Sequence, residues 1–440
     1  MPGCSTTKIP TGWKRFQIPF DTPVLTCGGR ANAAVLGAMK PRLNAGFTVL
    51  GLGMSALAAC SNGDDVEVGA GSLQPAPPEL LSYSCQEDAA RSSSDAEVDA
   101  TAPVLRDSTH NVGAAVAAFR LAEDPAYAKT IAEQFNQLTP ENEMKWEAIE
   151  PEPGVFDFTA ADALVTFARD NGMKVRGHTL VWHSQLAPWV EALVGPDAVR
   201  EAMTRHIQTI VAHYRDEFPG VVVAWDVVNE AINVMQGPMG GTPIYRDSIF
   251  YRELGEGFIA EAFQIARATD PDVLLFYNDF GVEGSTGAKS TGMFDMVNGL
   301  VNAGVPINGV GFQMHTGPLD QGPNAADFAT NIARYAALGL EVEVTEMDVT
   351  LCAVGDNVLG QELQRYRYNR ILSACFASPA CRSVSLWGVA DPNSWLNDTG
   401  CTQGMITLET LPSPLAFDDA YGRKAAWWGV YDALNGCTYQ

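Results

Sequence analysis

The sequence predicts an α/β protein of the (β/α)8 TIM-barrel class, on three observations. Short β-branched or apolar runs alternate with longer stretches of helical period; eight such runs occur between residues 106 and 440; and most of them end in polar or aromatic residues. Alternation of this kind gives parallel strands joined by helical crossovers, and eight units over 335 residues is the count and length of a closed barrel. A doubly wound sheet also alternates, but no glycine-rich phosphate loop follows the first run.

In chain order the expected strands are NVGAAVA near residue 111, FNQLT at 135, MKVRGHTLVW at 173, VVVAWDVV at 221, VLLFYND at 273, INGVGFQMH at 307, LEVEVTE at 340 and SVSLWGVAD at 383. Between them, AVREAMTRHIQTIVAHYRDEF and SIFYRELGEGFIAEAFQIARATD carry apolar residues at helical spacing with charges opposite. In a barrel the strand C-termini ring one mouth, so residues scattered in sequence converge there.

The chain before residue 106 reads differently. Residues 1–38 show no clear period and are expected to be an upstream extension absent from the mature protein. Residues 39–59 have the features of an export signal: Lys40 and Arg42 precede an apolar run from Gly46 to Ala59 that is too short to span a bilayer. The run ends in LAAC, which resembles a bacterial lipobox and implies lipidation of Cys60. Residues 60–105 are rich in Ala, Ser, Pro and acid, and from Ser61 to Leu105 nine Asp or Glu face one Arg, a net of 1 − 9 = −8. Such a composition buries too little apolar surface to offset its ordering entropy, so a disordered tether is expected.

The formal charge of −24 argues against nucleic acid or an anionic membrane surface as partner. Membrane contact is expected only through the lipid anchor, in the cell envelope or after secretion, and the chain is expected to act as a monomer. Setting aside Cys4, Cys27 and Cys60 leaves six of the nine cysteines, an even number that in an exported chain suggests disulfides. No CxxC pair marks a metal site, and no cofactor is expected.

Two expected strands end in a glutamate, Glu230 after WDVVN and Glu346 after LEVEVT. Cleaving the acetal between two sugars takes one carboxyl to protonate the leaving oxygen and a second to attack or stabilise the anomeric centre. A strand-end carboxylate can instead be structural, pairing with an arginine or capping a helix. The neighbours favour chemistry. Gln313 and His315 close GVGFQMH, and Asp348 lies two residues beyond Glu346, on the same strand face. A His linked to an Asp can hold a carboxylate ionised and oriented.

Several separate motifs in order resemble glycoside hydrolase family 10, the endo-β-1,4-xylanases, across essentially all of residues 106–440. The resemblance makes Glu230 in WDVVNEA the acid/base with Asn229 beside it, and Glu346 in VTEMDV the nucleophile with His315 and Asp348 as its support. LTPENEMKWE implies that Glu141, Asn142 and Lys145 hold the glycone sugars. GHTLVWHSQ supplies His178, Trp182 and Gln185, GVGFQMH supplies Gln313, and LWGVADPNSW supplies Trp387 and Trp395. The implied substrate is xylan or a xylo-oligosaccharide, cleaved with retention by carboxyls about 5–5.5 Å apart. Indole faces would wall the sugar, while amides and charged groups read its hydroxyls; Trp146 and Trp225 are expected in the core instead. His178 and His183 do not resemble a metal pair. The family commonly bridges a short loop where ACFASPAC stands, implying Cys375–Cys381. Cys352–Cys401, across the neighbouring seventh and eighth loops, and Cys85–Cys437, joining the barrel's ends, are the further expected pairings.

One departure falls on the leaving-group side, where the family commonly reads Asn-Asp-Tyr-Asn and this chain reads NDFG, so Phe280 lacks the phenol and Gly281 the amide. Two other readings compete: a related barrel acting on β-glucan or mannan, and a non-catalytic surface lipoprotein that captures glycan. The Glu141, Asn142, Lys145 cluster and Trp395 favour xylose, which lacks the C6 hydroxymethyl group, and a capture protein has no need of both glutamates.

Overall fold

The computed structural model describes residues 83–84, 103–235, 242–318, 322–403, 406–408 and 411–439. The extension 1–38, the signal-like run 39–59, Cys60 and Cys85 lie outside the described residues.

Eight parallel strands among the described residues form the barrel: β1 Asn111–Val116, β2 Gln137–Pro140, β3 Lys174–Val181, β4 Val222–Asn229, β5 Leu274–Asp279, β6 Gly309–Phe312, β7 Glu341–Val349 and β8 Cys381–Leu386. Each pairs with its successor. The ring closes where Ser383, Val384, Ser385 and Leu386 of β8 register with Asn111, Val112, Gly113 and Ala114 of β1. Each strand is followed by an outer helix: α1 Pro125–Gln134, α2 Thr159–Asp170, α3 Pro196–Glu217, α4 Gly257–Thr269, α5 Ala288–Asn302, α6 Ala325–Ala336, α7 Val358–Phe376 and α8 Ala425–Leu434.

Local chemistry sets these boundaries. Asp124 caps α1 by accepting from the backbone N–H of Ala126 and Tyr127, an arrangement that contributes about 1 kcal/mol. Helix α3 starts with Pro196 and buries Val199, Ala202, Met203, His206, Ile207, Ile210, Val211 and Tyr214, an i, i+3, i+4 stripe that faces the strands. The SIFYRELGEGFIAEAFQIARATD stretch is two helices, not one: Ile249–Leu254 ends at Gly255, whose φ of 65° is left-handed, before α4 begins.

The barrel interior departs from the usual aliphatic layers. Arg176 on β3 is buried between Asp226 on β4 (2.5 Å) and Glu343 on β7 (2.5 Å), and Gln137 on β2 donates to the hydroxyls of Ser383 and Ser385, each at 3.1 Å. Glycines make room for these side chains: a Cβ on Gly113 would stand 2.6 Å from Ser385 Oγ and 3.2 Å from Gln137 Cβ, and one on Gly311 2.2 Å from Asn278 Oδ1 and 3.1 Å from Arg176 Nη2. Outside the strands the core is apolar and aromatic. Trp225 is 1% exposed, and Trp146, 3% exposed, stacks on His206 at 3.6 Å between ring centroids.

The packed structure begins before residue 106. Leu105 is fully buried, Arg106 donates to the Asn171 carbonyl at 2.9 Å, and Arg423 reaches the Pro103 carbonyl at 2.7 Å. Within the stretch read as a tether, Tyr83–Ser84 pair antiparallel with Thr438–Tyr439. Backbone pairing of two residues needs no apolar composition, so the acidic, Ser-rich sequence gives no sign of it. Cys375 is bonded to Cys381 and Cys352 to Cys401. Cys437 is also disulfide-bonded; Cys85, its expected partner, is among the residues not described.

Candidate active site

Glu230 follows the last residue of β4 and has left-handed backbone, φ 56°, a conformation that costs a non-glycine residue roughly 1–3 kcal/mol. Two bonds hold it there: its N–H donates to the Asn278 carbonyl at 2.9 Å, and Arg246 Nε donates to its carbonyl at 2.8 Å. The turn aims the side chain into the mouth. Its Oε1 accepts from Gln313 Nε2 at 3.1 Å and from Asn229 Nδ2 at 3.3 Å. Oε2 stands 3.8 Å from Arg246 Nη2 and 3.9 Å from His183 Nδ1, beyond hydrogen-bonding range.

Glu346 sits within β7 and is held at both oxygens. Asn278 Nδ2 donates to Oε1 at 2.7 Å, and His315 Nε2 lies 3.2 Å from Oε2. His315 Nδ1 is 2.8 Å from Asp348 Oδ2, which also accepts from Trp395 Nε1 at 2.9 Å. Burial by itself disfavours the imidazolium, but the Asp348 carboxylate outweighs it, with Glu346 adding to the effect, and His315 is held well above the usual histidine range. Both ring nitrogens therefore carry protons and donate to carboxylates. Burial likewise pushes Glu346 up, and the His315 hydrogen bond together with the nearby histidine charges brings it below the usual glutamate range. Glu346 is thus an ionised carboxylate, buried yet kept charged.

Amides join the two glutamates. Asn278 Nδ2 donates both to Glu346 Oε1 and to Asn229 Oδ1 (2.9 Å), while its Oδ1 accepts from the Thr345 hydroxyl at 2.7 Å. Gln313 Nε2 spends its two hydrogens on Glu230 Oε1 and Asn229 Oδ1, the latter at 3.3 Å. In this orientation the Asn229 oxygen serves both amide donors and its nitrogen serves Glu230. The reversed amide would instead accept from Trp182 Nε1 at 3.2 Å and donate to the Asn278 carbonyl at 3.1 Å, leaving the Asn278 and Gln313 amides without that acceptor.

Beneath the glutamates, His178 Nδ1 donates to Asp226 Oδ2 at 3.0 Å, and Thr179 Oγ1 donates to the Asp226 carbonyl at 2.8 Å. Burial raises the Asp226 carboxyl, but Arg176 and His178 more than offset it and hold the group below the ordinary aspartate range. The inner cluster thereby aims the His178 ring, which meets the edge of Trp387 at 5.3 Å.

On the other flank, Lys145 Nζ donates to Asn142 Oδ1 at 2.9 Å and to Gln185 Oε1 at 2.7 Å, and Gln185 Nε2 donates to Asn142 Oδ1 at 3.1 Å. Gln185 takes left-handed backbone, φ 48°, to join this set. The Lys145 ammonium lies 4.9 Å from the Trp182 ring centre. Burial lowers its pKa, against the opposing pull of Glu346, Glu141 and Glu230, and burial raises Glu141. Trp395, 39% exposed, stands 5.2 Å from the His315 ring, with Trp387 on the other side at 6.4 Å. All fourteen polar and aromatic residues singled out as catalytic, supporting or sugar-binding lie at this strand-end mouth.

The structure adds residues that the sequence reading left unassigned. Asn278, the penultimate residue of β5, lies between the two glutamates, Asp226 and Arg176 position His178, and Arg246 pins the Glu230 turn. A signal existed for two of them: Asn278 is the polar end of FYND, and Asp226 lies four residues before Glu230 in the opening of WDVVNE. Phe280, 41% exposed, presents a bare ring with the Lys289 ammonium 3.5 Å from its centre. Lys289 also bonds Asp279 Oδ1 at 2.7 Å; burial raises Asp279 to about 6, against the pull of that lysine. A side chain at Gly281 would meet open space, though its φ of 66° suits glycine.

The model of Glycosyl hydrolase family 10 matches residues 101–433. Endo-1,4-beta-xylanase B of Thermotoga neapolitana is 38% identical over 314 residues, covering 70% of this chain and 83% of its own. Endo-1,4-beta-xylanase A of Humicola insolens is 38% identical over 308 residues, covering 69% and 76%. Native xylanase 10B from Thermotoga maritima superposes with a TM-score of 0.68 at 34% identity, over 76% of this chain and 98% of that one. A xylanase10C variant from Cellvibrio japonicus, solved with xylopentaose, gives 0.69 at 36% identity, over 77% and 71%. With the match spanning the whole barrel and its mouth, this chain belongs to glycosyl hydrolase family 10.

Proposed function

We propose that this protein is an endo-1,4-β-xylanase that hydrolyses internal bonds of xylan with retention, Glu346 acting as nucleophile and Glu230 as acid/base. The observation that carries the reading is the unequal setting of the two glutamates. Glu346 is tied at both oxygens and kept ionised beside a charged histidine, as a nucleophile requires. Glu230 is tied at one oxygen only, through amides, so its second oxygen is free to exchange a proton with substrate.

In the first step Glu346 attacks the anomeric carbon while Glu230 protonates the departing glycosidic oxygen. A covalent xylosyl ester forms and the leaving chain departs. In the second step Glu230 takes a proton from water, which attacks the anomeric carbon of the ester from the opposite face, breaking its bond to Glu346 and releasing the carboxylate. Asn229 donates toward the acid/base, and Asp348 and Trp395 hold the histidine that holds the nucleophile. Lys145, Asn142, Gln185 and Glu141 read sugar hydroxyls; Trp182, Trp387 and Trp395 wall the ring nearest the bond; and His178 and Gln313 complete the pocket. The Cellvibrio structure with xylopentaose and the Thermotoga petrophila xylanase 10B structure with xylobiose support xylo-oligosaccharides as ligands.

The filled floor formed by Asn142, Lys145 and Gln185 favours xylose over sugars that carry a C6 hydroxymethyl group. Rates on xylan and carboxymethyl-cellulose measured side by side test this: xylan should be cut roughly a hundredfold faster, the scale on which a pocket discriminates small substituents. An equal or faster rate on the cellulose derivative would favour the β-glucan reading. The protein is further proposed to be exported and anchored through a lipidated Cys60, which the lipobox-like LAAC supports; Cys60→Ala should release it from the membrane fraction.

A further inference from the structure

A second concave surface lies on the outer side of the β4–α4 connection. Tyr245, Asp247, Tyr251, Arg252, Gly255 and Glu256 line an open cavity of about 590 Å³, within the range of small-molecule sites. It shares no residue with the small pocket around Glu230, which Trp182, His183, Asn229, Glu230 and Arg246 help to line. Side-chain alternation separates the two. Arg246 sends its guanidinium toward Glu230, so the flanking Tyr245 and Asp247 face away from the mouth.

The chemistry of this groove is that of a sugar platform. The rings of Tyr245 and Tyr251 stack on one another at 28° with centroids 5.2 Å apart, half-buried against the core, so that each covers one face of the other and the pair is fixed before any ligand arrives. Ser248 Oγ accepts from the Tyr251 N–H at 3.1 Å and so anchors the helix that bears it. Gly255 leaves the floor open, with nothing within 4 Å of where a Cβ would be. At the rim, Arg252 Nη1 donates to Asp247 Oδ1 at 3.0 Å, and burial, to which the Glu256 charge adds, pushes the Tyr245 phenol up to about 12. Two carboxylates against one guanidinium disfavour an anion. A stacked aromatic pair edged with bidentate acceptors and a forked donor suits the C–H face and vicinal hydroxyls of a neutral pyranose chain.

We infer that this groove is a second carbohydrate-binding site, which holds a neutral segment of the xylan chain outside the cleft. The inference rests on xylan being the substrate. A polymer longer than the cleft can engage both places, so the groove raises the local concentration of substrate at the mouth without touching the bond that breaks.

The test pairs two readouts on the full-length protein. Affinity electrophoresis through gels containing linear soluble xylan reads polymer binding, and kcat/KM on an aryl β-xylobioside, too short to leave the cleft, reads the cleft and the fold. Tyr251→Ala should weaken retardation by xylan about fivefold, the scale of one lost ring contact, and leave kcat/KM on the aryl xylobioside unchanged. Tyr251→Phe keeps the ring and should bind as the wild type does. Unchanged retardation of Tyr251→Ala would overturn the inference, as would equal losses in both readouts, which would make the tyrosine part of the cleft or of the fold. Cleavage of the aryl xylobioside by the wild type reports on the hydrolase assignment independently.

Discussion

The imidazole of His315 bridges two carboxylates, with Nε2 3.2 Å from Glu346 and Nδ1 2.8 Å from Asp348. The bridge makes the charge of Glu346 depend on a partner 31 residues away in sequence.

The direction of the pH effect follows. Glu346 lies below its ordinary range, so its ionised form persists as pH falls and is lost only through that depressed value. Removing His315 takes away the hydrogen bond and charge that offset burial. His315→Asn should therefore move the acid limb of the kcat/KM profile to higher pH, and lower kcat on the order of 10²-fold through lost orientation. An unmoved acid limb would remove His315 from the account.

Asn278 should matter as much as the residues read from the motifs. Asn278→Ala leaves Glu346 Oε1 without its amide donor and strips Asn229 and Thr345 of a partner, which should cost about 1–3 kcal/mol of stability along with activity. Asn278→Asp keeps the shape and sets a like charge against Glu346, so it should lose more activity than stability. Denaturant unfolding and single-turnover rates separate the two effects.

Arg176 is the only positive group bonded directly to both Asp226 and Glu343 among the described residues. Arg176→Met fills the volume but leaves two buried carboxylates without their cation, so it should destabilise the fold by about 3–5 kcal/mol. Urea unfolding at neutral pH measures this, and a loss under 1 kcal/mol would contradict the ion-pair reading.

The two described disulfides should contribute unequally. Cys352–Cys401 closes 49 residues and Cys375–Cys381 only six; on the chain-entropy model the longer loop is worth about 2 kcal/mol more. The longer loop also contains Trp395, which bonds Asp348. Replacing Cys352 and Cys401 with serine should lower Tm further than replacing Cys375 and Cys381, and should raise KM for xylo-oligosaccharides.

Much of this was legible in the chain because barrel chemistry lies at strand ends. A glutamate at the close of VVVAWDVVNE and another at the close of LEVEVTE are visible without coordinates, and the topology brings them together. Asn278 was harder to assign, since one asparagine at the end of FYND reads equally as a turn residue until Gly311 is seen to leave space for it. Arg176 sits mid-strand in MKVRGHTLVW, where a lone charge gives no hint of partners 50 and 167 residues away. The pairing of Tyr83–Ser84 with the C-terminal residues has no compositional signature. The groove at Tyr245 and Tyr251 depends on the break at Gly255, which the helical period of that stretch conceals.

The roles given to the two glutamates meet their most direct test in the Glu346→Ala protein supplied with an aryl β-xylobioside and azide. Azide should enter the space left by the carboxylate and attack the anomeric carbon directly, displacing the aryloxide, so proton NMR should show the α-xylobiosyl azide, inverted relative to the substrate. The β-azide would mean that a covalent intermediate still forms on another group, and that Glu346 is not the nucleophile.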